Sequence, residues 1–424
     1  MGTLRKLSGQ QLQAYRAELT SRYENIKAGK PNIDMTRGKP CPEQLDLSME
    51  MLTAAAAGKY RAADGTDCRN YGGLEGLPEA RRLFGEFLGV GPDEIIIAGN
   101  ASLTMMYDAM VRAMLFGVAE GQPAWGRLPE VKFLAPSPGY DRHFAICEYL
   151  GMSMIPIEMD ENGPDMDAVE RLAAQDESVK GIWCVPRYSN PTGVTYSGEV
   201  VERLAAMPAR AADFRIFWDN AYAVHHLTDH PAPLANILEA CKKAGNPDRV
   251  LLFGSTSKVS FAGSGLALLG ASRKNIEFTL KHLFYQTIGP DKLNMLRHML
   301  FFKDMAGIEA HMKKHAAIVK PKFEAVEAIL ARELQGQGVA EWSRPQGGYF
   351  VSLDTMDGCA ARVVRMAAEA GVKFTGAGAT FPYKKDPRDR NIRIAPTFPS
   401  LAEIRSAMEA LAVCIQLVCL EKQG

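Results

Sequence analysis

The sequence predicts an α/β protein: a large unit built on a mostly parallel, seven-stranded sheet flanked by helices, joined to a smaller α+β unit. Three observations predict it. At 424 residues the chain exceeds the roughly 250–300 residues that one core serves. Between residues 94 and 270, short apolar runs alternate with segments of helical periodicity, the pattern of a parallel sheet covered on both faces. Beyond Arg273 the alternation gives way to long helical stretches with two further strand-like runs.

A helix is expected from Ser8-Gly9-Gln10-Gln11, which resembles a capping box, to about Lys27. Residues 31–47 carry Gly38, Pro40 and Pro42 and are irregular, with Asp34-Met35-Thr36-Arg37-Gly38-Lys39-Pro40 at their centre. A helix at about 49–58 leads into a polar loop through Arg69-Asn70-Tyr71-Gly72-Gly73, and 75–88 has helical periodicity. The large sheet then reads as seven strands at 94–98, 131–135, 153–157, 181–185, 215–218, 249–253 and 266–270. Their largely continuous apolar character is that of strands buried on both faces. Helices at 102–116, 140–150, 165–174, 198–206 and 233–244 fill the intervals, with a Gly/Pro-rich loop over 117–129. A long helix covers about 306–334, strands fall at 349–353 and 391–394, and helices at about 359–370 and 400–418 complete the chain. The large unit is expected at 50–305, and the small unit combines 1–49 with 306–424. Without repeats or low-complexity linkers, the two are expected to share a broad interface.

Composition narrows the function classes. With 47% hydrophobic and 23% charged residues, the chain is that of an ordinary globular protein. A formal net charge of zero removes the electrostatic motive for nucleic-acid or membrane binding. The eight cysteines are scattered with no C-x-x-C, so neither a disulfide framework nor a zinc site is expected. The N-terminus lacks the apolar core of a signal peptide, and no apolar run approaches the roughly 18 residues a membrane span needs. The expectation is a cytoplasmic protein with reduced thiols.

Chemistry-bearing residues collect at the carboxyl ends of strands, where ligands bind in open α/β sheets. The strand at 249–253 runs into Gly254-Ser255-Thr256-Ser257-Lys258. A lysine amine is a nucleophile only when deprotonated, and burial favours that form by penalising the charge. Hydroxyls and backbone N–H groups beside it can hold an anion such as a phosphate, so Lys258 could form a Schiff base with a phosphorylated aldehyde. Asp219 follows Phe217-Trp218, and a carboxylate there needs a cationic partner. A protonated pyridine nitrogen is one such partner, and Tyr222 could donate to the phenolic oxygen of the same ring. Ser189-Asn190-Pro191-Thr192-Gly193 is a rigid turn past the strand at 181–185, with the Asn190 amide as a neutral donor. Gly99-Asn100-Ala101-Ser102 links a strand to a helix whose free N–H groups make an anion site. Singly, each has a plainer reading: a solvated lysine, an Asp capping a turn, a packing Tyr, a turn that binds nothing.

Taken together, the order Asn190-Pro191-Thr192-Gly193, Asp219-Asn220-Ala221-Tyr222, Ser255-Thr256-Ser257-Lys258, then Arg393 resembles the class I/II aminotransferases of the pyridoxal-phosphate fold-type I superfamily. The similarity covers nearly the whole chain. Thr36 to Pro40, and Gly-Pro-Asp-Lys-Leu-Asn followed by Leu-Arg-His within 289–298, resemble a subgroup of aspartate aminotransferases. That unit is similar to the aminotransferase domain of MocR-type regulators, without their DNA-binding module.

The resemblance implies a role for each position. Lys258 would be the Schiff-base lysine and then the base and acid of a 1,3-proton shift. Asp219 would pair with the pyridinium nitrogen, while Asn190 and Tyr222 would hydrogen-bond the phenolic oxygen. Tyr140, in Pro138-Gly139-Tyr140, would stack on the ring. Ala101, Ser102, Ser255 and Ser257 would cradle the phosphate, and Tyr71 would reach it from the neighbouring subunit of a homodimer. Arg393 would pair bidentately with the substrate α-carboxylate, with Gly38 close to the substrate.

The implied reaction moves the amino group of a dicarboxylic amino acid, expected to be aspartate, to 2-oxoglutarate by a ping-pong mechanism. A second cation is then required for the side-chain carboxylate, and Arg37, Lys39, Arg142 and Lys292 are the candidates. One departure stands out. The family places a phosphate-binding arginine after the lysine in a Gly-x-Arg-x-Gly context, but Gly263-Ser264-Gly265-Leu266-Ala267 offers no cation. Either Ser264 with backbone N–H groups suffices, or a basic residue arrives from elsewhere. Alternatives are an aminotransferase for aromatic or aliphatic amino acids, or a pyridoxal-phosphate lyase on the same fold. A regulator's effector domain is a more remote reading, since it would need a basic module of about 60 residues where one helix is expected.

Overall fold

The computed structural model describes residues 9–55 and 58–423; Ser8, part of the expected capping box, lies outside them. The large sheet has seven strands in the order Ile95–Ile97, Ala267–Ala271, Val250–Ser255, Arg215–Asp219, Val179–Cys184, Lys132–Ser137, Ser153–Glu158. Each lies within two residues of its expected bounds. Ala267–Ala271 runs antiparallel to both its neighbours, and every other pairing is parallel. The exception has a simple cause: the link after Val250–Ser255 is too short for the crossover that a parallel return needs. The other six strands point one way, and their carboxyl ends form one rim.

Period-two alternation loads both faces of this sheet. Along Arg215–Asp219, Phe217 joins a cluster with Phe133, Trp183 and Met106, whereas Ile216 and Trp218 join one with Leu134, Val200 and Leu238. Helices Ser102–Phe116 and Asp141–Tyr149 cover the first face; Met166–Gln175, Gly198–Ala206 and Ile237–Lys243 cover the second. Each fully buried large side chain contributes about 1.5–3 kcal/mol. The buried Lys180–Asp213 pair, at 2.7 Å, ties two adjacent strand regions together, and Trp125 Nε1 donates to the same carboxylate at 2.8 Å.

A separate antiparallel sheet of three strands, Asn391–Ile394, Val351–Thr355 and Ala340–Trp342, belongs to another core. Helices Gly9–Ala28, Met305–Leu334, Ala360–Glu369 and Leu401–Gln423 enclose it. The last is buried almost all round over its middle, as a central helix must be. Among the described residues no helix is long and apolar enough to cross a membrane, and all eight cysteines are free and buried.

Several expected bounds change. Of the helix expected at 49–58, residues 56–57 lie outside the described residues, and the described ones form a single 3₁₀ turn, Met49–Leu52. Met51 is buried but Met49 and Leu52 are about half exposed, so this stretch buries one side chain and no continuous stripe, and a short helix lacking one is marginal. The helix expected at 233–244 starts only at Ile237, where the Asn236 side chain accepts from Glu239 N. The helix expected from Glu75 starts at Pro78, which suits a first helical position. The parallel pair Ile33–Asp34 with Val372–Lys373, and the edge strand Ala340–Trp342, were too short to announce themselves.

Helices Lys292–Phe302 and Met305–Leu334 carry three histidines inward behind the Lys258 turn. His298 Nε2 lies 2.9 Å from Ser260 Oγ; His311 Nε2 lies 2.9 Å from Val259 O and 3.0 Å from His315 Nε2. Burial draws His298 down to about 4 and His315 to about 3. Unfolded, each takes up a proton near pH 6.5, so below that pH the unfolded chain binds more protons than the folded one. Their stability contribution is therefore complete above about pH 6.5 and is lost as pH falls towards those depressed values. At pH 5 the loss is about 2 kcal/mol per ring. Denaturant midpoints are expected to fall between pH 6.5 and 5, with a shallower fall in His298→Gln; an unchanged slope there would contradict the assignment.

Candidate active site

Strands Arg215–Asp219 and Val250–Ser255 are parallel neighbours, with Asp219 opposite Phe253. Their shared rim puts Asp219 beside the turn that carries Lys258. Val259 N and Ser260 N donate to Thr256 O at 2.9 and 2.8 Å, closing that turn at the lysine. A cavity of about 70 Å³ opens in front, lined by the expected Gly38, Ser102, Tyr140, Asn190, Asp219, Tyr222 and Lys258. Lys258 Nζ lies 5.1 Å from the centre of the Tyr222 ring and 5.9 Å from that of Tyr349. Burial holds its amine below the ordinary lysine range, and the Asp219 charge opposes that shift.

Asp219 is 3% exposed. Its Oδ2 lies 3.1 Å from His143 Nε2, while Oδ1 is buried with no hydrogen-bond partner. A buried carboxylate oxygen left unpaired is costly, so the free oxygen is matched to a cation arriving with a ligand. His143 is itself fixed, stacked on Trp183 at 4.2 Å and 8°, and edge-on to Tyr140 at 4.9 Å. Burial raises the hydroxyls of Tyr140 and Tyr222 above the usual phenol range. Both therefore remain neutral donors.

Arg393 sits in strand Asn391–Ile394 at 7% exposure. Its Nη1 donates to Asp141 Oδ1 at 2.8 Å and to Asn190 Oδ1 at 3.3 Å; Nη2 makes a 3.3 Å contact with Thr375 Oγ1, and Nε is buried and unpaired. The guanidinium stacks over Phe350 at 5.0 Å, and Phe350 lines the cavity. Asp141 thus holds one nitrogen while the Nε edge remains available to a carboxylate. At Gly38 a Cβ would come 2.4 Å from Phe350 Cζ, so the chain approaches this ring only as glycine unless the ring shifts.

Around the helix Ser102–Phe116, Ala101 occupies the N-cap position without a side-chain cap. Ser257 Oγ donates to Asn100 O at 2.8 Å, and Ser255 is buried at the end of its strand. Ser264 Oγ donates to Asn294 Oδ1 at 3.3 Å. The proposed side-chain cations are not gathered. Arg37, Lys39 and Arg142 are exposed, with Lys39 Nζ 3.8 Å over the Phe398 ring. Lys292 is buried and donates to Gly72 O at 2.5 Å. Tyr71 is 80% exposed and away from the cavity of its own chain.

Sequence reasoning missed His143, Asp141 and Phe350. The first two had a signal: they follow Tyr140 at the opening of a helix on the ligand-bearing rim, where one turn brings i and i+3 to one side. Phe350 had none, because its place depends on how the small sheet meets the large one.

Fold and site together define a pyridoxal-phosphate-type aminotransferase. The chain belongs to the aspartate amino-transferase family, whose model matches residues 7–424. It is 43% identical over 420 residues to the aspartate aminotransferase of Corynebacterium glutamicum, covering 99% of this chain and 97% of that one. The crystal structure of an aspartate transaminase from the same bacterium covers 100% of both chains with a TM-score of 0.97 at 42% identity. An α-aminoadipate aminotransferase of Thermus thermophilus, solved with N-(5'-phosphopyridoxyl)-L-leucine, has a TM-score of 0.74 at 20% identity over 93% of this chain and 97% of that one. At that distance the likeness is one of fold.

Proposed function

We propose that this enzyme transfers the amino group of aspartate to 2-oxoglutarate by a ping-pong mechanism, as a cytoplasmic homodimer, with Lys258 as its reacting amine. The observation that carries the reading is the unpaired, buried Oδ1 of Asp219 at a cavity that Lys258 also lines. That pair fits pyridoxal phosphate: an acceptor for its ring N–H and an amine for its aldehyde. When bound, this cofactor supplies an electron sink for negative charge developing at the substrate Cα.

The chain's own residues do the rest. Asp219, oriented by His143, holds the proton on the ring nitrogen. Lys258, whose charged form burial disfavours, would accept the proton from the substrate Cα and hold it for return. Asn190 and Tyr222 donate to the phenolic oxygen, and Tyr140 packs on the ring. Arg393 presents its Nε edge to the α-carboxylate. Gly38 and Phe350 close over the substrate, and Arg37, beside Gly38, is our choice for the second carboxylate. Tyr71, exposed on its own subunit, reaches the partner's phosphate. We further propose that 1–49 with 306–424 acts as a small unit carrying Gly38 and Arg393, against a large unit, 50–305, carrying Lys258 and Asp219. The aspartate aminotransferase at 43% identity supports the choice of substrate.

Rapid mixing tests it. Holoenzyme mixed with aspartate, tyrosine, alanine or 2-aminoadipate is expected to lose its cofactor absorbance with the highest kcat/KM for aspartate, and glutamate, the product of the acceptor half-reaction, should react as well. Adding 2-oxoglutarate alone should restore the spectrum. A higher kcat/KM for tyrosine, alanine or 2-aminoadipate would reject aspartate, and ammonia release independent of 2-oxoglutarate would favour the lyase.

A further inference from the structure

We propose that Arg297, from helix Lys292–Phe302, is the cation that anchors the cofactor's phosphate. This rests on the cofactor reading above. Three segments converge into one cradle at the start of the helix Ser102–Phe116: residues 99–102, 255–257 and 263–265. Ser257 Oγ donates to Asn100 O at 2.8 Å, and Ala267 N donates to Gly99 O at 3.3 Å. At Gly265 a Cβ would lie 2.8 Å from Ser257 N and 3.0 Å from Ser257 Oγ, so the third segment presses against the second with no room for a side chain.

The cradle offers N–H groups and hydroxyls, yet none of these segments contains a lysine or arginine. Lys258, one residue on, is reserved for the aldehyde. A phosphate dianion held there would face only neutral donors, and charge-assisted hydrogen bonds are roughly twice as strong as neutral ones.

Arg297 supplies what is missing. Its Nη2 lies 3.4 Å from Ser264 Oγ and 2.9 Å from Asn294 Oδ1. Asn294 fixes the approach by donating from Nδ2 to Ser264 O at 3.1 Å and Gly265 O at 2.9 Å. Helix and loop are thus locked together at the cradle's edge. Arg297 Nε is buried without a partner, and among the described residues the guanidinium forms no ion pair. A part-buried guanidinium with no counter-ion and an unused donor is matched to an anion that arrives from outside. The position lies in the Leu296-Arg297-His298 stretch, some thirty residues beyond the loop where a cation was sought.

The test compares two ligands differing only in the phosphate. Dissociation constants for pyridoxal phosphate and for pyridoxal are measured by absorbance titration of full-length apoenzyme, in wild type, Arg297→Gln and Arg297→Lys. The expected result is a weakening of pyridoxal phosphate by roughly 10- to 100-fold in Arg297→Gln, with pyridoxal unchanged within twofold. Arg297→Lys is expected to recover part of the loss, and the ³¹P resonance of bound cofactor should shift in both variants. An unchanged affinity for pyridoxal phosphate overturns the proposal. So does an equal loss for both ligands, which would mean that Arg297 merely staples the Ser264 loop. If wild-type protein binds neither ligand, the cofactor reading itself fails, which is a separate outcome.

Discussion

Replacing Lys258 with alanine is expected to end multiple-turnover transamination, with at least roughly 10²–10⁴-fold lost from proton transfer alone. No other side chain at the cavity can take over. Burial raises the hydroxyls of Tyr140 and Tyr222 and so makes them poor bases near neutral pH, and His143 is committed to Asp219. Lys258→Arg should fail as well, since a guanidinium stays charged. The discriminating measurement is exchange of the aspartate α-hydrogen with solvent by cofactor-loaded protein, which should vanish with turnover. Appreciable exchange or steady turnover in Lys258→Ala would remove this residue from its role. Folding should survive, because the substitution deletes an amine whose charge burial disfavours.

Asp219→Asn is expected to have the next largest effect, on both cofactor affinity and rate. The substitution keeps the shape but removes the charge that the proposed pairing with the ring nitrogen requires. Truncating one member of a buried charged pair costs about 2–5 kcal/mol, which corresponds to roughly 30- to 5000-fold in kcat/KM. His143→Asn should cost less, because that ring acts only through Asp219, leaving the carboxylate charged but less firmly oriented. Steady-state kinetics on the two variants beside wild type decides the matter. An Asp219→Asn enzyme within threefold of wild type, or one less impaired than His143→Asn, would reject the assignment.

The rim of the large sheet was legible because its physics is local. Strands buried on both faces must be apolar throughout, so the polar residues at their ends stand out, and Lys258, Asp219 and Asn190 were found that way. Other features depend on contacts between distant parts of the chain. Arg393 and Asp141 meet across 252 positions, and no pattern near either one announces the partner. The absence of a cation after Lys258 was visible, but Arg297 was not seen as an answer because its direction depends on how helix Lys292–Phe302 is rotated against the loop. The helix wrongly expected at 49–58 shows the opposite error: composition allows a helix there, but Met49 and Leu52 find nothing to cover them.

The placement of Arg393 and Phe350 has an evolutionary consequence. Both belong to the three-stranded sheet or the chain just before it, whereas Lys258, Asp219 and His143 stand on the rim of the large one. On the roles proposed above, the groups that would choose among acids stand on different elements from those that would move protons. Drift at Phe350 or Thr375 can then redirect an ancestral enzyme towards a longer, shorter or aromatic amino acid while its reaction type stays constant. Lineages descended from such a fold should diversify in diet far more readily than in chemistry.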